Sequence, residues 1–541
     1  MFPLLPFLYG SALWADASVL ELTLDDARQL VILQNMEIAS QRLGWDAAKA
    51  LHRGERESLW EPTLVLSGER ERNERENNSE QFVSQGVDDF SERNMVYRIA
   101  VEQPLITGGQ VQLGYTLRDL NNNLREQREL EGPERDYEAF LGLVFTQPLL
   151  RNAGREIALS LVEMARTESE VAFQEWRRQM MQALGSAEAA YWELHITQER
   201  VALREASVGV AEKILEDNRA RFEAGRGGEV EVQQAEAGLA LRQTQLLEAR
   251  QELLDASSRL KTFFSESLRD GGMQLRTVDR PTLELQEMDE DLLLATAYDK
   301  HPDMLLRKHR LEQERLRMRY AENQTLPDLS VSASYGYNGL GEDASDAYGK
   351  IQDRDFVSWS VGVQLRVPLG GGRRARNEFE AARNRMRQGE MVVRSTEIAL
   401  SNALVTSAQR VRNSFAQAQN YQRVAELNRR LLETELTRLD AGQSDSRKVL
   451  DTEERLTEAL EREAASLTRY MVALIELELS SGALLSRRDL DPMDSTDLEW
   501  VHVEAPSAAE VPASGPSSEP EMETAEPTPD RRPVQGRPVT R

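Results

Sequence analysis

The fold is decided by two matching stretches, Arg221-Phe222-Glu223-Ala224-Gly225-Arg226-Gly227-Gly228 and Arg438-Leu439-Asp440-Ala441-Gly442-Gln443-Ser444-Asp445. Each interrupts a long run without proline, from Pro148 to Pro281 and from Pro368 to Pro492. Both runs are rich in Ala, Leu, Glu, Gln and Arg, which favour helices. A glycine just past one helix and a capping residue before the next predict a helical hairpin tip. The chain should therefore contain two long helical hairpins, with tips near 225 and 442.

The helices of these hairpins are predicted to be unusually long. Apolar residues recur at steps of three and four from about Arg155 to Phe222, the spacing of packed or coiled-coil helices. At 1.5 Å per residue such a helix is on the order of 100 Å long. Compact domains rarely contain a helix of this length, whereas a tunnel or a filament does.

The two halves of the chain match in register. When the tips are aligned, Val232 corresponds to Val449 and Glu236 to Glu453. The spacing is far larger than that of solenoid repeats, so the pattern indicates one internal duplication. We predict a first repeat over 16–285 and a second over 286–486. In each, a helical stretch, 24–59 or 289–325, precedes a block of strands, 62–148 or 327–368.

The strand blocks alternate apolar and polar residues. Leu329, Val331, Ala333, Tyr335 and Tyr337 alternate with Ser and Gly, and Trp359, Val361, Val363, Leu365 and Val367 do the same with polar residues. A strand about ten residues long with one apolar face is what a water-filled membrane barrel requires. A soluble, half-buried antiparallel sheet shows the same alternation, but no compact core is evident beside these strands.

The first half carries more strands than the second. Four segments alternate there: 62–70, 95–105, 109–118 and 137–148. We predict that the extra hairpin at 95–118 joins the barrel wall and gives each chain six strands. The alternative is that it folds outside the barrel as an extension.

Composition excludes several classes of function. The formal net charge is −26, which argues against nucleic acid as a partner. No cysteine is present, which excludes disulfides and thiolate sites. The five histidines are scattered, so we expect no metal site. After residues 1–15, no stretch approaches 18 uncharged apolar residues, so a membrane span would need strands.

The ends of the chain differ from its middle. Residues 1–15 are apolar and end in an Ala-x-x-Ala stretch, which predicts a weak signal peptide, with a disordered N-terminus as the alternative. Residues 487–541 are rich in Pro, Ser, Glu and Thr and are predicted to form a disordered tail.

These features together resemble the TolC outer-membrane efflux protein family. Gln147-Pro148-Leu149-Leu150 and Val367-Pro368-Leu369-Gly370 are similar to its strand-to-helix junctions. Ala190-Tyr191-Trp192-Glu193-Leu194 is similar to its A-Y-x-x-L motif, and Arg221-Phe222-x-x-Gly225 to its hairpin tip. The resemblance covers roughly residues 24–485. No single motif is specific, but their order and duplication are.

The resemblance implies a fold, an assembly and partners. The fold would be an α+β membrane protein with long antiparallel helical hairpins forming an α-barrel and a transmembrane β-barrel, both shared between three chains. The homotrimer would lie in the lipid of the outer membrane and conduct passively across it, which implies no cofactor and no catalytic residues. A periplasmic adaptor (membrane fusion) protein and an inner-membrane RND or ABC transporter would complete an efflux or type I secretion system.

Two other classes of function compete with a channel. A soluble coiled-coil adaptor or scaffold also has helical hairpins, but usually one, flanked by compact β domains. An enzyme is the weakest interpretation, because paired acids such as Glu453 and Glu454 lie in charge-dense helices, where a solvated face explains them. The cargo, whether drug, metal or protein, is not encoded in helix packing.

The tips are predicted to dock the adaptor. Phe222 and Leu439 are apolar residues beside the turns at Gly225 and Gly442. Apolar groups at an exposed end suggest a docking site. The alternative is that both residues close their own hairpin by packing on a neighbour.

The resemblance also places a periplasmic gate. Counted from Gly442, the family's two acidic gate positions fall on Lys448 and Asp451, and the matching acid of the first hairpin is Glu231. Lys448 reverses the expected sign. Three residues apart on one helix face, Lys448 and Asp451 can pair. An ordinary surface ion pair is the alternative.

Overall fold

The computed structural model describes residues 19–78, 82, 86, 88–123, 136–264, 274–286, 288–441 and 443–492. The first repeat contains β1 (Val19–Leu22), α1 (Leu24–Gln34), α2 (Met36–Ser58), β2 (Thr63–Glu76), β3 (Asp89–Pro104), β4 (Gln110–Leu120), β5 (Asp136–Pro148), α3 (Arg155–Ala158), α4 (Ser160–Glu223), α5 (Glu229–Lys261) and β6 (Gln274–Thr277). The second contains α6 (Glu290–Lys300), α7 (Pro302–Asn323), β7 (Asp328–Gly341), α8 (Ala344–Asp353), β8 (Val357–Arg366), α9 (Arg373–Asp440), α10 (Ser446–Ser481) and α11 (Leu484–Arg487).

The two helices that turn at the tips, α4 and α9, dominate the chain. They contain 64 and 68 residues, so each is on the order of 100 Å long. The predicted residues 1–15 of a signal peptide and most of the predicted tail lie outside the described residues.

Each predicted leading helix is in fact two helices, and the breaks fall at corresponding places. Asn35 ends α1 and caps α2, its side chain accepting from the backbone N–H groups of Glu37 and Ile38. His301 ends α6 and caps α7, and Pro302 begins the next helix. Continuous helices over 24–59 and 289–325 were therefore wrong at these two points. A side chain that bonds the next helix start competes with the helical backbone bond.

Six strands form one antiparallel sheet in the order β2-β3-β4-β5-β7-β8. The hairpin predicted at 95–118 pairs within this sheet, with β3 on β2 and β4 on β5. Each chain thus contributes six strands to one sheet. Both strands are longer than predicted, because β2 continues to Glu76 and β3 already begins at Asp89.

The register of the sheet puts its apolar residues on one face. Directly paired rows join Val101 with Leu113, Leu113 with Leu143, Leu143 with Tyr335, and Tyr335 with Trp359. These side chains are largely exposed, for example Trp359 at 71%. The opposite face carries charged, hydroxyl and amide side chains interspersed with small residues: Arg98, Glu102, Gln112, Thr116, Arg118, Glu138, Ser334, Asn338, Ser360 and Gln364.

An unpredicted helix, α8, covers one end of the apolar face. Ala347 and Ile351 of α8 are buried in a cluster with Ala139, and residues of β4, β5 and β7 surround it. The approach is so close that a Cβ on Gly339 would lie 1.9 Å from the carbonyl oxygen of Ala347. Only glycine fits at that position. The short helix was missed because it sits between two strands that the alternation placed correctly.

The helices pack in two layers below the sheet. Nearer the sheet, α2 packs on α4, α4 on α7 and α7 on α9. Nearer the tips, α5 packs on α4, α4 on α10 and α10 on α9. The two layers therefore have edges formed by α2 and α9, and by α5 and α9.

The A-Y-x-x-L motif holds a small parallel pair of strands in place between these layers. β1 pairs with β6 in parallel, and the fully buried Tyr191 hydroxyl donates to Asp279 Oδ2 at 2.7 Å and lies 3.0 Å from the Leu22 carbonyl oxygen. Burial raises the pKa of Tyr191 well above its usual range. The tyrosine therefore acts as a neutral buried donor, and Leu194 beside it is fully buried as well.

The predicted tail begins too early. Arg488 donates to Glu188 Oε1 at 3.2 Å and to Glu478 Oε2 at 2.8 Å, and Arg177 makes a two-bond ion pair with Asp491 at 2.9 Å. The boundary at 487 therefore cuts through a packed segment. Charged residues favoured the tail interpretation, but here their charges are paired and largely buried.

Candidate functional site at the hairpin tips

The first tip is closed by a glycine in the left-handed region. Gly225 has φ +67°, and the backbone N–H of Arg226 donates to the Arg221 carbonyl at 2.8 Å. A six-to-one bond of this kind ends a helix. The second tip repeats it, because Gln443 N donates to the Arg438 carbonyl at 2.8 Å. The equivalence of these two bonds extends the duplication to the tips. Gly442 itself lies outside the described residues.

One buried asparagine joins the starts of the two returning helices. The Asn218 amide of α4 donates to the Glu231 carbonyl at 3.2 Å, and its oxygen accepts from the Ser446 hydroxyl at 2.8 Å. Asn218 as a whole is only 2% exposed. Nothing in the sequence indicates this role, since a single asparagine inside a long helix is usually a surface residue. Through it the beginnings of α5 and α10 lie side by side.

The two apolar tip residues differ in exposure. Phe222 is 47% exposed beside Gly225. Leu439 is partly buried and packs against a cluster that includes Leu215, Val449 and Leu450. Leu439 therefore follows the alternative to the docking prediction, in which the residue closes its own hairpin by packing on neighbouring residues. Only Phe222 of the pair presents an open apolar surface.

The three candidate gate residues lie in the first turns after the tips, and all are exposed. Lys448 pairs with Asp445, at 3.5 Å from Nζ to Oδ2, rather than with Asp451. Asp445 caps α10 by accepting from the Lys448 backbone N–H at 2.9 Å, and that bond lowers the pKa of Asp445. The predicted Lys448–Asp451 pair is therefore wrong for this conformation, because the capping carboxylate lies nearer. Among the described residues, Asp451 makes no ion pair.

A buried charge network lies a few turns above the tips and was not predicted. Arg242 of α5 donates from Nη2 to Glu453 Oε2 at 2.8 Å and to the Leu450 carbonyl at 2.9 Å. Its Nε donates to Ser207 Oγ of α4 at 3.2 Å. Arg242 and Glu453 are each 4% exposed. The interpretation of Glu453 as part of a solvated face was wrong. Its spacing of four from the buried Val449 is the signal that could have placed it inside.

A second arginine ties the same helices together. Arg204 of α4 lies 2.6 Å from Glu461 and 3.1 Å from Glu454, both on α10. Two arginines of the first hairpin thus hold one helix of the second. A buried pair contributes little net stability when formed but costs much when one partner is removed. Any movement of α10 away from α4 and α5 must therefore break these bonds together.

Two histidines have structural roles. His301 caps α7, and burial lowers its pKa, while His309 lies 3.0 Å from Glu170. Within the described ranges, no group of three or more His, Asp and Glu residues could hold a metal ion. In the same part of the chain, no helix is sufficiently long and apolar to span a membrane.

Comparison with known proteins identifies the family. The outer membrane efflux protein family matches residues 135–264 and 293–483, more than half of the chain. The chain belongs to the outer membrane efflux protein family.

Individual relatives agree with this assignment. The chain is 23% identical over 376 residues to the alkaline protease secretion protein AprF of Pseudomonas aeruginosa, which covers 68% of this chain and 73% of that protein. Its fold is similar to the CmeC outer membrane channel of Campylobacter jejuni, with a TM-score of 0.59 and 15% identity over 85% of each chain. It is also similar to the outer-membrane channel OprN, with a TM-score of 0.62 and 16% identity over 85% of this chain and 90% of that one.

The fold and the family together define the protein class. It is an outer-membrane channel for efflux or secretion that extends into the periplasm, and its family consists of channels rather than enzymes. The predicted TolC-like fold with its duplicated hairpins is confirmed.

Proposed function

We propose that three copies of this chain close head to tail into one conduit, with a β-barrel in the outer membrane and an α-barrel in the periplasm. The adaptor docks at the tips, and an inner-membrane transporter drives cargo into the conduit. The observation that carries this proposal is that each edge of the chain has exposed apolar side chains on its helices and an unpaired strand in the sheet.

The helical edges carry exposed apolar stripes that need a partner. One edge presents Met36, Leu43 and Leu51 on α2 and Leu241, Leu247 and Leu254 on α5. The other presents Met391, Ile398, Val405, Val424, Leu427 and Leu431 on α9. Apolar residues repeating at about seven-residue steps suit a helix packed against another helix. Because the two edges differ, one chain's α9 edge fits the next chain's α2 and α5 edge, and such contacts close a ring.

The two edge strands of the sheet are next in sequence to helices of the same two edges. Its edge strands are β2, which follows α2, and β8, which precedes α9. Unpaired strand edges cannot remain open in lipid. A β8-to-β2 pairing between neighbours closes the barrel by the same rotation that closes the helices. Six strands from each of three chains give a wide barrel, whose polar face surrounds water.

In this proposal the adaptor docks, and the tunnel closes, at the end of the molecule that carries the hairpin tips. Phe222 offers the exposed apolar group for an adaptor hairpin, beside the turn at Gly225. Asp451, Lys448 and Glu231 face the closed end of the tunnel, and the Arg242–Glu453 and Arg204–Glu461 contacts hold α10 closed against the first hairpin. Because Lys448 is engaged by Asp445, the carboxylate of Asp451 contributes the uncompensated charge of the constriction.

The transport system is either of two kinds. Similarity to AprF, a protease secretion protein, favours type I secretion through an ABC transporter. Similarity to CmeC and OprN gives no cargo by itself, and drug or metal efflux through an RND transporter is the second candidate.

Purified protein tests the conduit. We expect outer-membrane fractions to yield a trimer that resists mild detergent and that conducts ions in planar bilayers. A well-folded, monodisperse monomer with an intact β signal, or recovery in the soluble fraction as a scaffold, would contradict the proposal.

A further inference from the structure

We infer that the outward face of the β2–β3 hairpin, immediately beyond the apolar band, binds phosphate-bearing lipid headgroups through Arg70, Arg72 and Arg93. The inference rests on the proposed function, because it takes the apolar face of the sheet as the lipid-facing one. It adds a specific lipid site to a channel whose contact with lipid is otherwise purely apolar.

The register places the three arginines on the apolar face, one and two rows past its end. On this face Leu66 pairs with Ile99 and Gly68 with Tyr97, and the next rows are Arg70–Met95 and Arg72–Arg93. Successive rows on one face lie about 6.6 Å apart along a strand. The guanidinium groups therefore begin where the apolar band stops, on the end of the sheet away from the helices.

Helix α8 limits the lipid-facing wall at this end of the sheet on the neighbouring strands. The row of Arg70 and Met95 continues through Asp119 and Tyr137 to Gly341. Over β4, β5 and β7, α8 covers this row and the two rows before it, as far as Tyr115, Leu141 and Tyr337, so that part of the wall does not meet lipid. From Leu329 to the row of Gly339 the strands run about 34 Å, and a tilt of about 40° leaves roughly 25 Å of height. That height suits an outer-membrane barrel, so the arginines lie at headgroup depth.

The three arginines are only partly paired by the residues that the structure describes. Arg72 and Arg93 are directly opposite each other, an arrangement in which like charges destabilise a sheet. Arg72 pairs with Glu74, whereas Arg70 and Arg93 make no ion pair with any residue that the structure describes. All three side chains are exposed. Of the acids on this face, Asp119 is buried, and Glu74, Glu76 and Asp89 lie one and two rows further from the apolar band. An external anion between Arg72 and Arg93 would relieve their repulsion.

A phosphate at the end of a lipid chain fits this surface best. The arginine fork binds phosphate with two parallel hydrogen bonds, and each arginine near an anionic membrane surface contributes about 1 kcal/mol to attraction. Neighbouring apolar residues such as Tyr97 and Ile99 would contact the acyl chains of the same lipid. A free phosphate lacks that second contact, which is why we commit to a lipid.

The test compares two triple variants of the full-length trimer. The outward variant is Arg70→Gln/Arg72→Gln/Arg93→Gln. The control, Arg75→Gln/Arg98→Gln/Arg118→Gln, removes the same charge from the opposite face of the same strands. Delipidated trimers in neutral detergent are titrated with diphosphoryl lipid A, and bound lipid is counted by native mass spectrometry. We expect the outward variant to bind at least about tenfold more weakly than wild type, and the control to stay within about twofold.

Each result decides the matter. Equal weakening in both variants, or none in either, would overturn the site, because a general charge effect or no effect would then explain lipid binding. Displacement of lipid A by millimolar inorganic phosphate would also overturn it, since the surface would then recognise phosphate alone. Phosphatidylcholine, which carries no net charge, should bind wild type and the outward variant equally.

The readouts separate this inference from the proposed function. If wild-type trimers form and conduct but the outward variant binds lipid A normally, the lipid site is wrong and the channel stands. If the chain yields no conducting trimers, the proposed function fails, and the lipid site fails with it.

Discussion

At the scale of single residues, α10 is held against the first hairpin by charge pairs that lie inside the protein. Arg242 and Glu453 are each 4% exposed, so either one alone would be a buried, uncompensated charge. We predict that Arg242→Met lowers the local stability of the tip region by about 3–5 kcal/mol. Hydrogen exchange of the amides at 446–457 would speed up accordingly.

A paired substitution provides the control for this prediction. Arg242→Met/Glu453→Leu removes both charges and should recover most of the lost protection, because no buried charge remains. If the double variant exchanges as fast as Arg242→Met, the loss comes from packing and not from the charge pair.

The gate residues give a second prediction at this scale. Because Lys448 is paired with Asp445, Asp451 would supply the negative field of the proposed constriction, three times over in the proposed trimer. Asp451→Ala should therefore make the pore less cation-selective, and Lys448→Asp should make it more so. Single-channel reversal potentials in a salt gradient measure both. If neither variant shifts selectivity or conductance, these residues do not line the constriction.

At the scale of structural elements, the first tip depends on a backbone conformation. Gly225 has φ +67° and open space around its Cβ position, so Gly225→Val is opposed by backbone strain of about 1–2 kcal/mol and not by a clash. We predict that it distorts the turn beside Phe222 and abolishes export, while trimers still form in the membrane. Export by a transport-competent strain measures the effect.

The matched control for the tip is Gly209→Val. Gly209 lies within α4, equally open to solvent, and lacks a positive φ. It should export nearly as wild type. Loss of export in both variants would mean that bulk on α4, rather than the tip turn, causes the defect.

The extra hairpin provides a prediction about the sheet. Leu113 is 52% exposed on the apolar face, and the adjacent Gln112 points to the other face. Leu113→Cys should react with a lipid-phase probe and be shielded from aqueous reagents, and Gln112→Cys should do the reverse. Since the chain has no native cysteine, the labelling background is empty. Aqueous labelling of Leu113→Cys would place the hairpin outside the barrel wall.

Periodicity accounts for most of what the sequence could predict about these elements. The alternation around Val361 and Val363 predicts their strand, because alternation is a local property. The glycines predict the hairpin tips in the same way. The break at Asn35, the helix α8 and the Arg242–Glu453 pair could not be predicted in the same way. Each depends on a partner far along the chain, and charge in a helix does not reveal whether it is paired inside or solvated outside.

At the scale of the whole molecule, the account depends on matching edges. One side of the chain consists of α2, β2 and α5, and the other of β8 and α9. Exposed apolar stripes on both sides would remain uncovered in a monomer. Leu241 of α5 and Leu427 of α9 lie at similar distances from the tips and are 56% and 53% exposed. In a closed ring they belong to the contact between neighbouring chains.

Cross-linking of a double variant tests this contact most directly. Leu241→Cys/Leu427→Cys, treated with a short bismaleimide in outer membranes, should give a ladder of covalent dimers and trimers that stops at three. The same-edge control Leu247→Cys/Leu254→Cys should remain monomeric on a denaturing gel. A Leu241→Cys/Leu427→Cys protein that stays monomeric, or a ladder that continues beyond three chains, would contradict the head-to-tail trimer.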